Sequence, residues 1–93
     1  MEAVSEESKD LVMHVRVSAS SKEVWEGDAY SVTSENSEGK FDILGLHSNF
    51  ITLIRNKPIT VTKVDGGEKE FNFKQSVILV TGNTVKVFAD VAA

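Results

Sequence analysis

Met13-His14-Val15-Arg16-Val17-Ser18 alternates apolar and polar side chains residue by residue. Successive side chains of an extended chain point to opposite faces, so this stretch reads as a β-strand with Met13, Val15 and Val17 buried and His14, Arg16 and Ser18 in water. The same period continues along the chain. Val24-Trp25-Glu26 reads as a short strand ended by Gly27-Asp28, and Ala29 to Ser34 as a second, closed by the turn-forming run from Glu35 to Gly39. Phe41, Ile43 and Leu44 follow, then a loop from Gly45 to Asn49, then strands over Phe50 to Ile54 and Ile59 to Val64. Lys69 to Phe73, Ser76 to Val80 and Thr84 to Phe88 complete the series. Asp65-Gly66-Gly67 and Gly82-Asn83 supply residues that tolerate positive φ between apolar runs, which is the signal of β-hairpins. Short strands rich in β-branched residues, with turns roughly every 8–12 residues, predict an all-β domain. The expected form is a small antiparallel β-sandwich or flattened barrel of about 8–10 short strands, with little or no helix, since no long segment carries a 3.6-residue period.

The 93 residues make one domain near the small end of the usual range. Residues 1–10 are expected to form an acidic, flexible N-terminal arm, and residues 11–93 the single sandwich domain. With no cysteine, neither a disulfide nor a cysteine-based zinc site can staple the fold, so stability rests on the 41% of residues that are hydrophobic. Ten basic against 14 acidic residues give a formal charge of -4, and no basic stripe is present to follow a phosphate backbone, which argues against nucleic acid. The longest apolar run, Val77-Ile78-Leu79-Val80, is far short of the ~20 residues that cross a bilayer as a helix, so no direct insertion into lipid is expected. The N-terminus lacks the basic-then-apolar order of a signal peptide, giving the expectation of a soluble, intracellular chain.

Catalytic equipment is sparse. The two histidines are His14, on the polar face of a strand, and His47, in a loop. A zinc site would need carboxylates from distant loops to complete its ligands, so no metal is expected. His47-Ser48 is a weak nucleophile–base pair, because neighbours on an extended chain point apart and no Gly-x-Ser-x-Gly elbow is present. The glycines of Glu38-Gly39 and Asp65-Gly66-Gly67 do not lie between a strand and a helix, where aligned N–H groups would cradle a phosphate, and no cofactor is expected. Trp25 reads as packing rather than as a ligand platform. The polar loops Asn36–Gly39 and Gly45–Asn49, one strand apart, point to recognition.

Three blocks carry a family resemblance. His14-Val15-Arg16-Val17-Ser18 and Trp25-Glu26-Gly27 stand where the N-terminal sandwich of the epsilon subunit of F-type ATP synthase has His-Leu-x-Val-Val and Phe-Ser-Gly. The run from Asn36 to Thr52 is similar, without a gap, to that family's Gly-Ser-Glu-Gly-Glu-Leu-Gly-Ile-x-Pro-Gly-His-Ala-Pro-Leu-Leu-Thr, with Ser37, Glu38, Gly39, Ile43, His47 and Thr52 in register. Val85-Lys86-Val87-Phe88-Ala89-Asp90 resembles Val-Thr-Val-Leu-Ala-Asp. The chain departs from the pattern at Gly45 and Asn49, where the family has prolines, at Leu46 in place of glycine, and at Lys40, which reverses an acidic charge. Lys74-Gln75-Ser76 replaces a Ser-Gly-Gly.

The resemblance implies a non-catalytic central-stalk subunit that binds the gamma subunit and the c-ring and helps couple proton-driven rotation to ATP synthesis. It would stand at the cytoplasmic, inner face of the membrane within a membrane-bound complex (matrix or stroma in an organelle). Position by position, Ser37, Glu38 and Lys40 would face the c-ring, and His47 and Thr52 the gamma subunit. The family's inhibitory, ATP-binding C-terminal helices are not expected in this polypeptide. The alternative is an unrelated free-standing β-sandwich used as a protein-interaction or scaffold domain; an enzyme is a third class, for which no nucleophile, base and orienter assemble.

Overall fold

The computed structural model describes residues 12–20, 22–45 and 49–90. The N-terminal arm expected at 1–10 lies outside these residues. Eight strands form one continuous sheet: β1 (Met13–Ala19), β2 (Lys22–Asn36), β3 (Gly39–Leu44), β4 (Phe50–Arg55), β5 (Pro58–Lys63), β6 (Glu68–Asn72), β7 (Gln75–Thr81) and β8 (Thr84–Ala89). Their order across the sheet is β4-β7-β8-β1-β2-β5-β6, with β3 paired to the remaining stretch of β2. No helix occurs among the described residues.

Period-two alternation builds the core as anticipated. Met13, Val15 and Val17 are fully buried while His14 and Arg16 are exposed, and Val85 and Val87 of β8 and Ile78 and Val80 of β7 repeat the arrangement. Ile43, Ile54, Ile59 and Val61 close the core from β3, β4 and β5. A fully buried side chain of this size contributes about 1.5–3 kcal/mol relative to exposure, which makes this inner face the main source of stability in a cysteine-free chain.

Two expectations are corrected. The region read as two short strands broken at Gly27-Asp28 is one strand of 15 residues. Gly27 does not turn the chain: it pairs with Val15, and a Cβ there would stand 2.8 Å from the Trp25 ring, so glycine is required by the indole lying over it. Irregularities in register at Val17/Ser18 against β1 and at Ala29/Ser31 against β5 bend β2. Its first half thereby pairs with β1 and its second half with β3 and β5. The sheet is also not wholly antiparallel. β1 and β8 run parallel, His14 beside Thr84 through Ala19 beside Ala89, joining the two ends of the domain. A parallel pair needs a long connection, and here almost the whole domain lies between its members.

The hairpins form where read. Gly66 takes φ 97°, and the Asp65 carboxylate accepts from the Gly67 N–H at 2.9 Å. The β7–β8 turn has two residues, Gly82-Asn83, with Gly82 at φ 61°. The sheet then curls so that β4 meets the far end of β2. Phe41 packs edge-to-face on Phe50 with ring centroids 5.7 Å apart, and the Asn36 amide Nδ2 donates to Thr52 Oγ1 at 2.9 Å.

Candidate interaction surface

Ser37 and Glu38 are the exposed tip of the two-residue turn between β2 and β3, closed by the pair Asn36 and Gly39. Asn36 holds this tip in place. Its Oδ1 accepts from the Glu38 N–H at 2.8 Å while its Nδ2 reaches Thr52, so one amide fixes both the turn and the distance from turn to β4. The open groove between the tip and β4, about 560 Å³, is lined by Ser37 and Glu38 on one side and by Thr52 on the other. Glu35 and Lys57, whose charged groups approach to 3.8 Å, close one end.

Three of the five residues singled out from sequence, Ser37, Glu38 and Thr52, therefore share one groove. Lys40 is exposed on β3, opposite Glu35 in register and outside the groove lining. His47 lies outside the described residues. From sequence alone Asn36 reads only as part of a polar loop. The signal for its role was an Asn two residues before a turn amide, the side chain that caps its own turn.

The outer face of the sheet is banded. Register places Ile51 of β4 beside Leu79 of β7, Leu79 beside Lys86 of β8, Lys86 beside Arg16 of β1, and Arg16 beside Glu26 of β2. The next row runs Leu53, Val77, Phe88 and Ser18. The β4 side is apolar, with Ile51 66% exposed and Leu53 and Phe88 each 40% exposed. Lys86 beside it makes no ion pair among the described residues.

The β1–β2 side carries paired charges. Arg16 approaches Glu23 at 3.2 Å. His14 Nε2 pairs with Glu26, and its Nδ1 lies 3.2 Å from Asp28. The hydrogen bond to Glu26, and then that to Asp28, raise the His14 pKa above its ordinary 6.5, against the opposing effect of desolvation. The same contact with His14 lowers the Glu26 carboxyl below its ordinary value. This cluster is exposed; among the described residues no group of three His, Asp or Glu side chains is arranged to hold a metal ion. No helix among the described residues is long and apolar enough to cross a membrane.

The ATP synthase, Delta/Epsilon chain, beta-sandwich domain family matches residues 12–93. The chain belongs to this family. Among its relatives is the ATP synthase epsilon chain of Streptomyces coelicolor, 26% identical over 80 residues that cover 86% of this chain and 64% of the relative. The epsilon chain of Protochlamydia amoebophila is 28% identical over 80 residues, covering 86% of this chain and 54% of the relative. The chain thus spans between about half and two-thirds of the length of these relatives.

The delta/epsilon sandwich fold also recurs in solved structures. A chain of the Euglena gracilis mitochondrial ATP synthase (OSCP/F1/c-ring, rotational state 1) superposes with a TM-score of 0.80 at 12% identity, covering 89% of this chain and 53% of that one. A chain of the Tetrahymena thermophila mitochondrial ATP synthase central stalk and c-ring gives 0.65 at 15% identity, covering 83% and 62%. At such identities the likeness is one of fold. Family membership sets aside the reading of an unrelated sandwich.

Proposed function

We propose that this domain is the sandwich of an epsilon-like, non-catalytic central-stalk subunit of an F-type ATP synthase. It binds the gamma subunit and the c-ring, so that proton-driven rotation of the ring is transmitted to ATP synthesis. The observation that carries this reading is the family match over residues 12–93, which takes in every described strand. The bare apolar side of the outer face supports it, because contiguous exposed apolar patches on soluble domains mark interaction surfaces. In this role the domain stands at the cytoplasmic, inner face of the membrane, or its matrix or stromal equivalent, as part of the complex.

Within that reading, Ser37, Glu38 and Lys40 face the ring, and His47 and Thr52 face gamma. The ring contact involving Lys40 then requires an acidic partner, since like charges across an interface repel. The test mixes the purified domain with the gamma subunit and detergent-solubilised c-ring of the same organism. A one-to-one complex with gamma on size-exclusion chromatography is expected, weakened at least ~10-fold by the double substitution Ile51→Glu and Leu53→Glu, which puts two charges on the apolar face. Failure of both gamma and the c-ring to bind would overturn the assignment.

A further inference from the structure

Strand β4 ends the sheet, and the hydrogen bonds around it show which of its backbone groups are unused. Asn56 N–H donates to Lys74 C=O at 2.9 Å, continuing the β4–β7 register beyond both strands. Antiparallel backbone groups alternate between the two edges of a strand. Counting back by twos from Asn56, the N–H and C=O of Ile54, Thr52 and Phe50 face β7. Those of Ile51, Leu53 and Arg55 face the opposite edge. The bond from Asp90 N–H to Gln75 C=O, 2.7 Å, agrees, since it turns the odd-numbered residues of β7 to β8 and leaves the even ones for β4. Among the described residues β4 pairs with no strand on its open edge.

Among the described residues the edge also lacks the usual protection. Phe50-Ile51-Thr52-Leu53-Ile54-Arg55 contains no proline, its register with β7 shows no bulge, and its single charge stands at the end. The groove between β4 and the β2–β3 tip runs beside it.

We propose that this edge receives an extended strand from a partner polypeptide, which adds to the sheet through the backbone of Ile51, Leu53 and Arg55. The incoming strand is defined by what it meets. Its side chains beside Ile51 and Leu53 join the outer apolar face and are apolar. The alternate ones enter the groove beside Asn36, Ser37 and Glu38 and are small and polar. The residue beside Arg55 is acidic, because Arg55 makes no ion pair among the described residues. A second copy of this chain is a poorer occupant. Antiparallel pairing of two β4 edges about Leu53 sets each Arg55 beside an Ile51, leaving both guanidinium groups without a carboxylate. Strand addition of this type draws affinity from main-chain bonds and specificity from alternate side chains. The inference does not rest on the stalk assignment.

The test is amide hydrogen exchange, residue by residue, on the whole chain. The probes are two blocked peptides, acetyl-Ser-Val-Ser-Val-Ser-Glu-Ser-amide and its reverse sequence, which offer the same pattern in parallel and antiparallel sense. One of them is expected to slow exchange at Ile51, Leu53 and Arg55 by at least ~5-fold, leaving Phe50, Thr52 and Ile54 unchanged. Leu53→Pro, which removes only an outward N–H, should abolish the effect. Should that variant fail to fold, Arg55→Glu should lose the effect with the Glu peptide and regain it with a peptide carrying Lys there. Absence of protection with both peptides at millimolar concentration overturns the proposal. Protection of the same amides without peptide, together with a dimer in sedimentation, also overturns it in favour of a second copy.

Discussion

Besides β3, which pairs only with β2, the sheet ends in two strands, β4 and β6, of similar length and opposite character. At one end, β4 turns the backbone of Ile51, Leu53 and Arg55 outward and covers it with apolar side chains. At the other, β6 is Glu68-Lys69-Glu70-Phe71-Asn72. Lys63 N–H donates to Gly67 C=O at 2.8 Å, so Lys69 and Phe71 turn their backbone to β5, and Glu68, Glu70 and Asn72 turn theirs to solvent. Glu70 and Asn72 are hydrogen-bonded to each other at 3.1 Å, and Lys69 lies with its ammonium 6.0 Å from the Phe71 ring. Charges on an open edge repel an unspecified strand, because pairing would bury them without partners. β6 is therefore built to stay solitary and β4 is not. Among the described residues β4 lacks the charges that guard β6, and this contrast marks its edge as a surface in use.

Both end strands depend on their inward side chains, so Ile54→Ala and Phe71→Ala should each destabilise by roughly 3 kcal/mol in denaturant titration, whereas the outward Ile51→Ala should change stability by less than about 1 kcal/mol. If Ile51→Ala proved as damaging as Ile54→Ala, the outer face would be structural rather than available. Proline at Thr52, whose N–H faces β7, should cost about 2–3 kcal/mol. At Glu70, whose N–H faces solvent, it should cost less than about 1 kcal/mol. Equal losses would show that the assigned hydrogen-bond parity is wrong.

Exchanging the protection should exchange the behaviour. Leu53→Lys should slow heat-induced aggregation, and Glu68→Val with Glu70→Val should speed it, with melting temperatures little changed. Light scattering during a thermal ramp reads this out.

The smallest effect concerns the charged side of the outer face, which titrates where the apolar side does not. Because the fold raises the His14 pKa, that contribution is fully present below the unfolded value of 6.5 and is lost as pH rises through the folded one. Because the fold lowers the Glu26 pKa, its contribution is present above the unfolded value of 4.5 and is lost as pH falls through the folded one. His14→Gln should therefore lower the melting temperature slightly near pH 5.5 and hardly at all near pH 8. An identical difference at both values would remove the pairing from the account of stability.

Much of this molecule is legible residue by residue. The buried positions of β1, β7 and β8 follow from period two, and the turns at Asp65–Gly67 and Gly82-Asn83 follow from residues that accept positive φ. Gly27 misled because glycine in a strand has two meanings, a break or a close approach, and only the position of the Trp25 ring distinguishes them. The groove was legible in part: Ser37, Glu38 and Thr52 stood out in the sequence, but their meeting depends on the Asn36 amide and on the curl that brings β4 to the end of β2.

The all-β class, the inward face of most strands and the chemistry of the tight turns are local properties of the chain, since they depend on alternation and on local φ, which neighbouring residues set. Long-range packing set β1 parallel to β8, ran β2 unbroken through Gly27, and left β4, β6 and β3 as the ends of the sheet. The physical reason is that a strand's pattern specifies which face is buried but not which strand lies beside it. That choice follows from register and curl summed over the whole sheet, and here it leaves the most apolar edge strand without a neighbour among the described residues.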